Sequence, residues 1–321
     1  MDARVDLQAF HTQADSFLLA MKHGMAAHPR HVSPKYFYDA RGSSLFDQIC
    51  DLPEYYPTRT EIGILTAHAA EMADLIGSDA DLVEFGAGSL VKVRLLLDAF
   101  IRRGWPCRYV PIDISGEHLE SAAQALAAEL PDLSICPVAA DYTALTELPG
   151  VGSKARRRVG FFPGSTIGNM SPDEALAFLS RSAALLRGGG MLIGVDLVKD
   201  PCLLHAAYND RQGLTAAFNL NLLDRANREL HADFDLQGFA HYALYQPMQQ
   251  RIEMHLVSRQ KQCVHVDGTE YLFQEGDTIH TEKSYKFTVE GFRALAARAG
   301  FTPGKVWLDA QRLFSVHWLA A

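Results

Sequence analysis

A short apolar strand runs into a glycine-rich turn in the stretch Asp81-Leu82-Val83-Glu84-Phe85-Gly86-Ala87-Gly88-Ser89, and a helical segment at 91–101 follows. Glycines at the turn let the backbone approach a ligand that a Cβ atom would push away. The N-terminus of the helix points towards the same place. A second strand ends at Asp113, at the distance where an adenosine ribose would need its hydroxyls held. The stretch therefore predicts an α/β fold with a nucleotide-type cofactor.

Dinucleotides and S-adenosylmethionine both bind to this order of strand, turn and helix. The dinucleotide pattern has a third glycine, which lets the helix pack close beneath a pyrophosphate, but Val91 stands at that position. The methyl donor instead carries an ammonium and a sulfonium, and an acidic residue such as Glu84 beside the turn suits these positive charges. The pattern favours S-adenosylmethionine over a nicotinamide cofactor. A purely structural turn, with Glu84 capping the helix beyond it, is the third interpretation.

Helices and strands alternate along residues 62–196, starting with a helix expected from Ile62, and the strands are short and apolar. This alternation predicts a mostly parallel sheet covered by helices on both faces. Ligands bind to such sheets at the carboxyl ends of the strands. Gly86, Asp113, Asp141 and the turn at Gly164–Asn169 all fall at those ends, so we expect their loops to converge on one crevice.

The remaining residues do not show this regular alternation of helix and strand. Residues 1–60 contain a helical start and then an aromatic stretch punctuated by prolines, whereas residues 197–285 hold a helical block followed by strand-like alternation. We therefore expect two domains. A Rossmann-like α/β domain of the class I methyltransferase type would comprise residues 61–196 plus 286–321. An α+β substrate-binding domain would comprise residues 1–60 plus 197–285.

The composition limits the other classes of function. The chain has 321 residues, 48% of them hydrophobic, which is enough for a substantial core. Its net charge of -8 argues against nucleic acid as a partner, and the one basic run, at 154–158, is interpreted as a solvated loop. The N-terminus lacks a long apolar run, so we expect no signal peptide and no membrane span.

The cysteines and histidines suggest neither a disulfide framework nor a metal site. Five cysteines without a Cys-x-x-Cys pair fit free thiols in a reducing cytoplasm. The histidines do not pair at the helical spacing, beside a carboxylate, that a metalloprotease helix requires. We expect a cytoplasmic monomer that binds a small-molecule substrate and has no metal, nucleic-acid or membrane partner.

Two polar clusters outside the glycine turn can bind a substrate. Asn169 ends a tight turn, and its amide can accept and donate hydrogen bonds at once, as a zwitterionic substrate requires. Glu282 and Ser284 alternate onto one face of an extended segment, where a carboxylate and a hydroxyl could hold the two nitrogens of an imidazole. For both clusters a structural role is the alternative, because asparagine also stabilises its own turn and exposed strands carry many such polar pairs.

Aromatic residues cluster outside the α/β part of the sequence. Such clusters are more often a packed core than a pocket, so the default interpretation is a core between the domains. Tyrosine faces also suit a methylated ammonium, at ~0.5–2 kcal/mol per contact. The residues concerned are Tyr36, Phe37, Tyr38, Tyr55, Tyr56 and Tyr208.

Several long and unusual strings lie along the chain: Lys35-Tyr36-Phe37-Tyr38-Asp39, Leu45-Phe46-Asp47-Gln48-Ile49, Leu52-Pro53-Glu54-Tyr55-Tyr56-Pro57-Thr58-Arg59-Thr60-Glu61, Gly164-Ser165-Thr166-Ile167-Gly168-Asn169, Asp196-Leu197-Val198-Lys199-Asp200, Leu214-Thr215-Ala216-Ala217-Phe218-Asn219 and Arg251-Ile252-Glu253-Met254. Together they resemble the L-histidine Nα-methyltransferase family of ergothioneine biosynthesis. The resemblance runs from about residue 30 to the C-terminus. The glycine turn departs from the family pattern at Leu90 and Val91, where a hydroxyl and an acidic residue are expected, and this puts at most the cofactor affinity in question.

The resemblance implies an enzyme that methylates the α-amine of histidine three times with S-adenosylmethionine and so forms hercynine, the trimethyl betaine. It implies that Tyr38 and Asn169 position the amine. Besides Glu84 from the turn argument, the implied cofactor contacts are Gly86, Gly88, Lys92, Asp113, Asp141 and Tyr142. The implied histidine contacts are Tyr55 or its neighbour Tyr56, Asn169, Tyr208, Met254, and Glu282 with Ser284 on the imidazole.

Two alternatives to histidine methylation stay open beside the nicotinamide dehydrogenase. One is a methyltransferase of the same fold that acts on another amino acid or small amine. The other is a non-catalytic protein that binds S-adenosylmethionine as a sensor. The presence of Met254 and of the Glu282/Ser284 pair supports histidine among these substrates.

Overall fold

The computed structural model describes residues 13–88, 90–105, 107–114, 116–148 and 156–321. Ser89 of the glycine turn and the first two residues of the basic run at 154–158 lie outside this set. The described part divides into two compact units. The first unit comprises Met1–Tyr56 and Asp200–Ser284, and the second unit comprises Pro57–Lys199 and Tyr285–Ala321.

The helices and strands are numbered in chain order. The α-helices are α1 (Gln13–Ala26), α2 (Ala40–Cys50), α3 (Tyr56–Ile76), α4 (Val91–Ile101), α5 (Gly116–Glu129), α6 (Pro172–Leu185), α7 (Pro201–Tyr208), α8 (Leu214–Glu229) and α9 (Val289–Arg298). The strands are β1 (Arg30–His31), β2 (Ala80–Phe85), β3 (Cys107–Asp113), β4 (Ser134–Ile135), β5 (Val138–Ala139), β6 (Arg157–Phe162), β7 (Gly190–Asp196), β8 (Phe239–Gln246), β9 (Arg251–Ser258), β10 (Gln262–Val266), β11 (Thr269–Phe273), β12 (Thr278–Tyr285), β13 (Thr302–Leu308) and β14 (Phe314–Ala320).

The second unit is built on a sheet with the strand order β13-β14-β7-β6-β2-β3-β4, and β5 also pairs with β3. The strands from β7 to β4 are parallel, and β14 and β13 add an antiparallel edge. Successive residues of β2 belong to different apolar clusters, because Leu82 packs with α3 and α4 whereas Val83 packs with α6 and α9. The expected α/β fold, a mostly parallel sheet with helices on both faces, is thereby confirmed.

Two local expectations were wrong in this unit. Helix α3 begins at Tyr56 and not at Ile62, because Pro57 sits in its first turn, where a missing N–H costs no hydrogen bond. The end of the basic run is not a loop, since Arg157 and Arg158 open β6. Strand β6 needs both residues to continue its pairing with β2 at Ala80 and Asp81.

The first unit contains a sheet with the order β1-β12-β9-β8 and a separate hairpin of β10 and β11. Helix α8 packs against β8, β9 and α2, and it buries Phe218, Leu222 and Leu223. Burying an aliphatic or aromatic side chain of this size contributes about 1.5–3 kcal/mol, so this face of α8 fixes the sheet against the helices. In neither unit does a described helix combine the length and apolar character needed to cross a membrane.

Candidate active site

The glycine turn of the second unit follows the last residue of β2. Gly86 has a φ of +75°, in the left-handed region where glycine is at ease, and its N–H donates to the carbonyl of Ile112 at 2.9 Å. A Cβ atom at Gly86 would lie 3.3 Å from Cε1 of Tyr142, so the turn and this ring approach closely. Around Gly88 a Cβ atom would meet only open space. The turn therefore leaves room for a ligand beside its backbone.

Glu84 lies inside the sheet and not at the surface of the turn. It is 2% exposed, and the hydroxyl of Tyr109 donates a short hydrogen bond to its carboxylate. Burial raises the pKa of Glu84 to about 8, although the hydrogen bond and the nearby Lys92 act in the other direction. Glu84 therefore holds its proton near neutral pH and lacks the negative charge on which the sequence argument relied. Its role in cofactor binding stays a prediction.

The raised pKa of Glu84 makes the stability of the protein depend on pH. The unfolded chain releases this proton near pH 4.5 and the folded chain near pH 8, so the folded state holds an extra proton between these values. Stability due to Glu84 is therefore lost as the pH rises through this window. Glu84→Gln keeps a neutral acceptor for Tyr109. As the pH rises through this window, we expect the stability of this variant relative to the parent protein to improve by up to about 1.4 kcal/mol per pH unit.

Urea denaturation between about pH 5 and pH 8 measures this effect, where the range follows from the linkage relation. Glu147→Gln, a change at an exposed glutamate of the same unit, serves as the control and should leave the pH profile as it is. Parallel pH profiles for the parent and Glu84→Gln would show that Glu84 is charged in the folded protein.

Asp113, Asp141 and Tyr142 come together at the carboxyl ends of the strands. Asp113 is the last residue of β3, and Asp141 closes its own turn by accepting the N–H of Thr143 at 2.9 Å. Burial raises the pKa of the Tyr142 hydroxyl, and the charges of Asp113 and Asp141 raise it further. Because Tyr142 also contacts the position of Gly86, these predicted cofactor residues share one edge of the sheet.

Lys92 is held by an acidic residue that the sequence argument did not single out. Its Nζ lies 2.7 Å from Oε2 of Glu61, which is 1% exposed. The same carboxylate accepts the N–H of Gly164 at 2.9 Å and 3.1 Å from its two oxygens. Glu61 thus joins α4 to the turn at Gly164. Glu61 lies inside α3, and the sequence pattern alone did not mark it as the partner of Lys92.

The Gly164–Asn169 turn stands at the carboxyl end of β6, beside β2. Ser165 has a φ of 55°, and its hydroxyl accepts the N–H of Asp196 at 2.8 Å. Asn169 ends the short 3-10 helix of this turn and is half-buried. The turn is therefore a fixed part of the same sheet edge as Gly86, and the role of Asn169 in binding an amine stays a prediction.

The first unit contains a partly open cavity among its helices and strand β9. Apolar and aromatic surfaces dominate its wall, as is usual for small-molecule sites. Tyr55 is one of its lining residues and Tyr56 is not, which favours Tyr55 for the predicted contact. Five of the lining residues were not predicted from the sequence, namely Phe46, Ile49, Ala207, Thr215 and Phe218. The complete lining is Phe46, Ile49, Tyr55, Ala207, Tyr208, Thr215, Phe218 and Met254.

The predicted polar residues of the first unit gather at this cavity. The hydroxyl of Tyr208 donates to Oγ of Ser284 at 3.0 Å, and both residues are buried. Burial raises the pKa of Tyr55, and charges at Tyr208, Cys50, Tyr38 and Glu282 raise it further. The phenol of Tyr55 therefore lies within electrostatic reach of Glu282. The structure brings the tyrosines, Met254 and the Glu282/Ser284 pair into one region of the unit.

Tyr38 lies at the aromatic side of the cavity. Its ring packs edge-on against Phe46 at 5.6 Å and against Phe218 at 5.7 Å between centroids, and it is 43% exposed. Tyr36 instead turns its hydroxyl to the carbonyl of Ser16 at 3.0 Å and belongs to the packing of the unit. Tyr38 thus offers a ring next to the cavity, whereas Tyr36 does not.

A buried hydrogen-bond network supports Tyr208 from behind. The hydroxyl of Thr281 donates to Oδ1 of Asn219 at 2.8 Å, which turns Nδ2 of Asn219 towards Nδ1 of His241 at 2.9 Å. His241 must accept there, so its Nε2–H donates to the carbonyl of Tyr208 at 2.9 Å. Burial lowers the pKa of His241, which agrees with a neutral ring. The end of α7 is therefore fixed to β8 and β12.

The family model and the relatives that match this chain agree with one another. A family model described as "Histidine-specific methyltransferase, SAM-dependent" matches residues 17–321. A histidine N-alpha-methyltransferase of Mycolicibacterium smegmatis is 44% identical over 300 residues, which cover 92% of each chain. The enzyme of the same name from Mycobacterium tuberculosis is 42% identical over 94% of this chain and 95% of its own. Ergothioneine biosynthesis protein 1 of Neurospora crassa is 31% identical over 91% of this chain and 33% of its own.

Proposed function

Because this chain belongs to the family of S-adenosylmethionine-dependent, histidine-specific methyltransferases, we propose that it transfers methyl groups from S-adenosylmethionine to the α-amine of L-histidine. The observation that carries the proposal is the family match along residues 17–321, together with two relatives named for this activity at 42–44% identity. The relative named for ergothioneine biosynthesis supports a place in that pathway. Three successive transfers would give the trimethyl betaine hercynine.

We assign cofactor binding to the sheet edge of the second unit. The left-handed Gly86 and the open space at Gly88 leave the turn free to approach a ligand. Asp113 at the end of β3 would accept the hydroxyls of the ribose. Asp141 and Tyr142 would lie beside the adenine. Because Lys92 is ion-paired with Glu61, it would hold the glycine turn in shape and would not contact the cofactor directly.

We assign histidine binding to the cavity of the first unit. Glu282 would accept an N–H of the imidazole, and Ser284, already paired with Tyr208, would hold the second nitrogen. Met254 and the aromatic lining would enclose the apolar part of the ring. Tyr208 would also approach the carboxylate of the histidine substrate. The positioning of the substrate amine by Tyr38 and Asn169 stays a prediction.

The chemistry needs positioning more than acid or base catalysis. S-adenosylmethionine supplies a methyl group on a sulfonium, which is itself an activated leaving group, so the transfer requires no metal. The residues must hold a neutral amine in line and keep water out. After the last transfer the product carries no N–H donor, and a quaternary ammonium is then best held by tyrosine faces such as those of Tyr38 and Tyr55, at ~0.5–2 kcal/mol each.

The free cysteines among the described residues fit a reducing compartment, so we propose a cytoplasmic enzyme. We also propose a monomer that acts on a free amino acid without a nucleic-acid or membrane partner.

A substrate panel tests the activity. Consumption of the methyl donor should occur with L-histidine and fall to background with tryptophan, tyrosine and other amino acids. Turnover of another amine in preference to histidine would make the protein a methyltransferase of different specificity, and tight donor binding without any turnover would make it a sensor.

A further inference from the structure

The hairpin of β10 and β11 carries a group of potential metal ligands on its outer face. The two strands pair in antiparallel register around the turn Asp267-Gly268, in which both residues have positive φ. This turn type matches the twist of the strands and sets the register of the hairpin. Val264 and Val266 point inward and are buried, so Cys263 and His265 lie side by side on the exposed face.

Glu270 completes the group from the neighbouring strand. It stands directly opposite His265 in the register of the hairpin. Residues in this relation have Cβ atoms only about 4.5–5.5 Å apart, within reach of one metal ion. One ligand atom from each of Cys263, His265 and Glu270 lies within 4.8 Å of the other two. The backbone thus brings a thiol, an imidazole and a carboxylate together.

Asp233 prepares the imidazole of His265 for a metal. Its Oδ2 lies 2.8 Å from Nδ1 of His265, and its Oδ1 accepts the backbone N–H of the same residue at 2.6 Å. The carboxylate can only accept, so the ring proton sits on Nδ1 and the lone pair of Nε2 stays available. A carboxylate behind a histidine in this way is the usual support of a zinc ligand.

We propose that Cys263, His265 and Glu270 form a binding site for a zinc-type divalent metal ion, with Asp233 orienting the histidine. Sulfur, nitrogen and carboxylate oxygen are the ligands that Zn²⁺ takes, and three of them leave the fourth tetrahedral position to water. On binding, the thiol of Cys263 releases its proton to water and coordinates as the thiolate. The site lies outside the residues assigned to histidine and the methyl donor, and no metal site was expected from the sequence.

A second triad of the first unit, Glu253, His255 and His280, meets the same distance limit. Its carboxylate is already ion-paired with Arg251. A metal ion there would face the guanidinium of Arg251, which repels a cation. We therefore assign the metal to the hairpin and use the second triad as a control.

Cobalt(II) tests the proposal because its thiolate complexes show a charge-transfer band in the near ultraviolet. The purified full-length protein, freed of metal with a chelator, is titrated with Co²⁺ alone. We expect one ion per chain with this band, and one equivalent of Zn²⁺ should remove it. Cys263→Ser should abolish the band, and Asp233→Asn should weaken Co²⁺ binding by about 10–100-fold while the band shape stays.

Two matched variants locate the ion. Cys202→Ser changes an exposed cysteine elsewhere in the unit and should keep the band, as should His280→Ala in the second triad. The substitutions at Cys263 and Asp233 are on the surface, so folding can be verified by circular dichroism before titration. Absence of the band in the parent protein, or its persistence in Cys263→Ser, would overturn the proposal, whereas methyltransferase activity does not bear on it.

Discussion

Replacing Glu282 by alanine is expected to raise the KM for histidine by about ten- to a hundredfold, with a smaller change in kcat. Tyr55 lines the cavity of the first unit, and the charge of Glu282 is among those that raise the pKa of its phenol. A hydrogen bond from an imidazole N–H to a carboxylate contributes about 1.5–3 kcal/mol, and its loss accounts for this factor. Steady-state kinetics with histidine as the varied substrate measure the effect.

Two further variants separate the role of Glu282 from general damage. Glu282→Gln keeps an acceptor without the charge, so its KM should fall between those of the parent and Glu282→Ala. Glu275→Ala removes an exposed carboxylate from a turn of the same unit and should leave the KM as it is. Unchanged histidine kinetics in Glu282→Ala would remove Glu282 from the substrate site.

Replacing Glu61 by alanine should lower the free energy of unfolding by about 3–5 kcal/mol, the usual cost of removing one partner of a buried ion pair. The change strands the Lys92 ammonium, which is 15% exposed, and frees the N–H of Gly164. A Cβ atom at Gly194 would lie 2.0 Å from Oε1 of Glu61, so the chain keeps space for this carboxylate. Urea denaturation measures the loss, and calorimetric titration should show weaker binding of the methyl donor.

Controls for Glu61 come from the same helix and from the partner. Glu71→Gln removes an exposed carboxylate of α3 that pairs with Lys305, and it should cost at most about 1 kcal/mol. The double variant Glu61→Leu/Lys92→Met removes both charges and should recover much of the stability. Equal costs for Glu61→Ala and Glu71→Gln would mean that the ion pair at Lys92 does not support the fold.

Periodicity in the sequence predicted the parallel sheet because buried parallel strands are continuous apolar runs and their crossover helices have apolar stripes. It also placed Gly86, Asp113, Asp141 and Asn169 at one sheet edge, since the carboxyl ends of parallel strands meet there. The structure has these residues at the ends of β2, β3, β5 and β6 or in the loops that follow. The local sequence pattern was sufficient to predict the position of a residue where that position follows from the strand that precedes it.

Properties that depend on distant neighbours were not predictable in this way. The charge of Glu84 depends on burial and on Tyr109, which is 25 residues away in sequence. The pairing of Lys92 with Glu61 joins two helices. Cys263 and His265 escaped a search for helical and Cys-x-x-Cys spacings, because on a strand two ligands on one face are two residues apart. The cavity likewise combines residues from α2, α7, α8 and β9.

The central claim is that the protein methylates the α-nitrogen of free histidine. Its most direct test is mass spectrometry and NMR of L-histidine incubated with the protein and a donor that carries a ¹³C-labelled methyl group. We predict that all of the label appears on the α-nitrogen and that the final product carries three methyl groups. Label on a ring nitrogen, or histidine recovered without label while the donor is bound, would contradict the account.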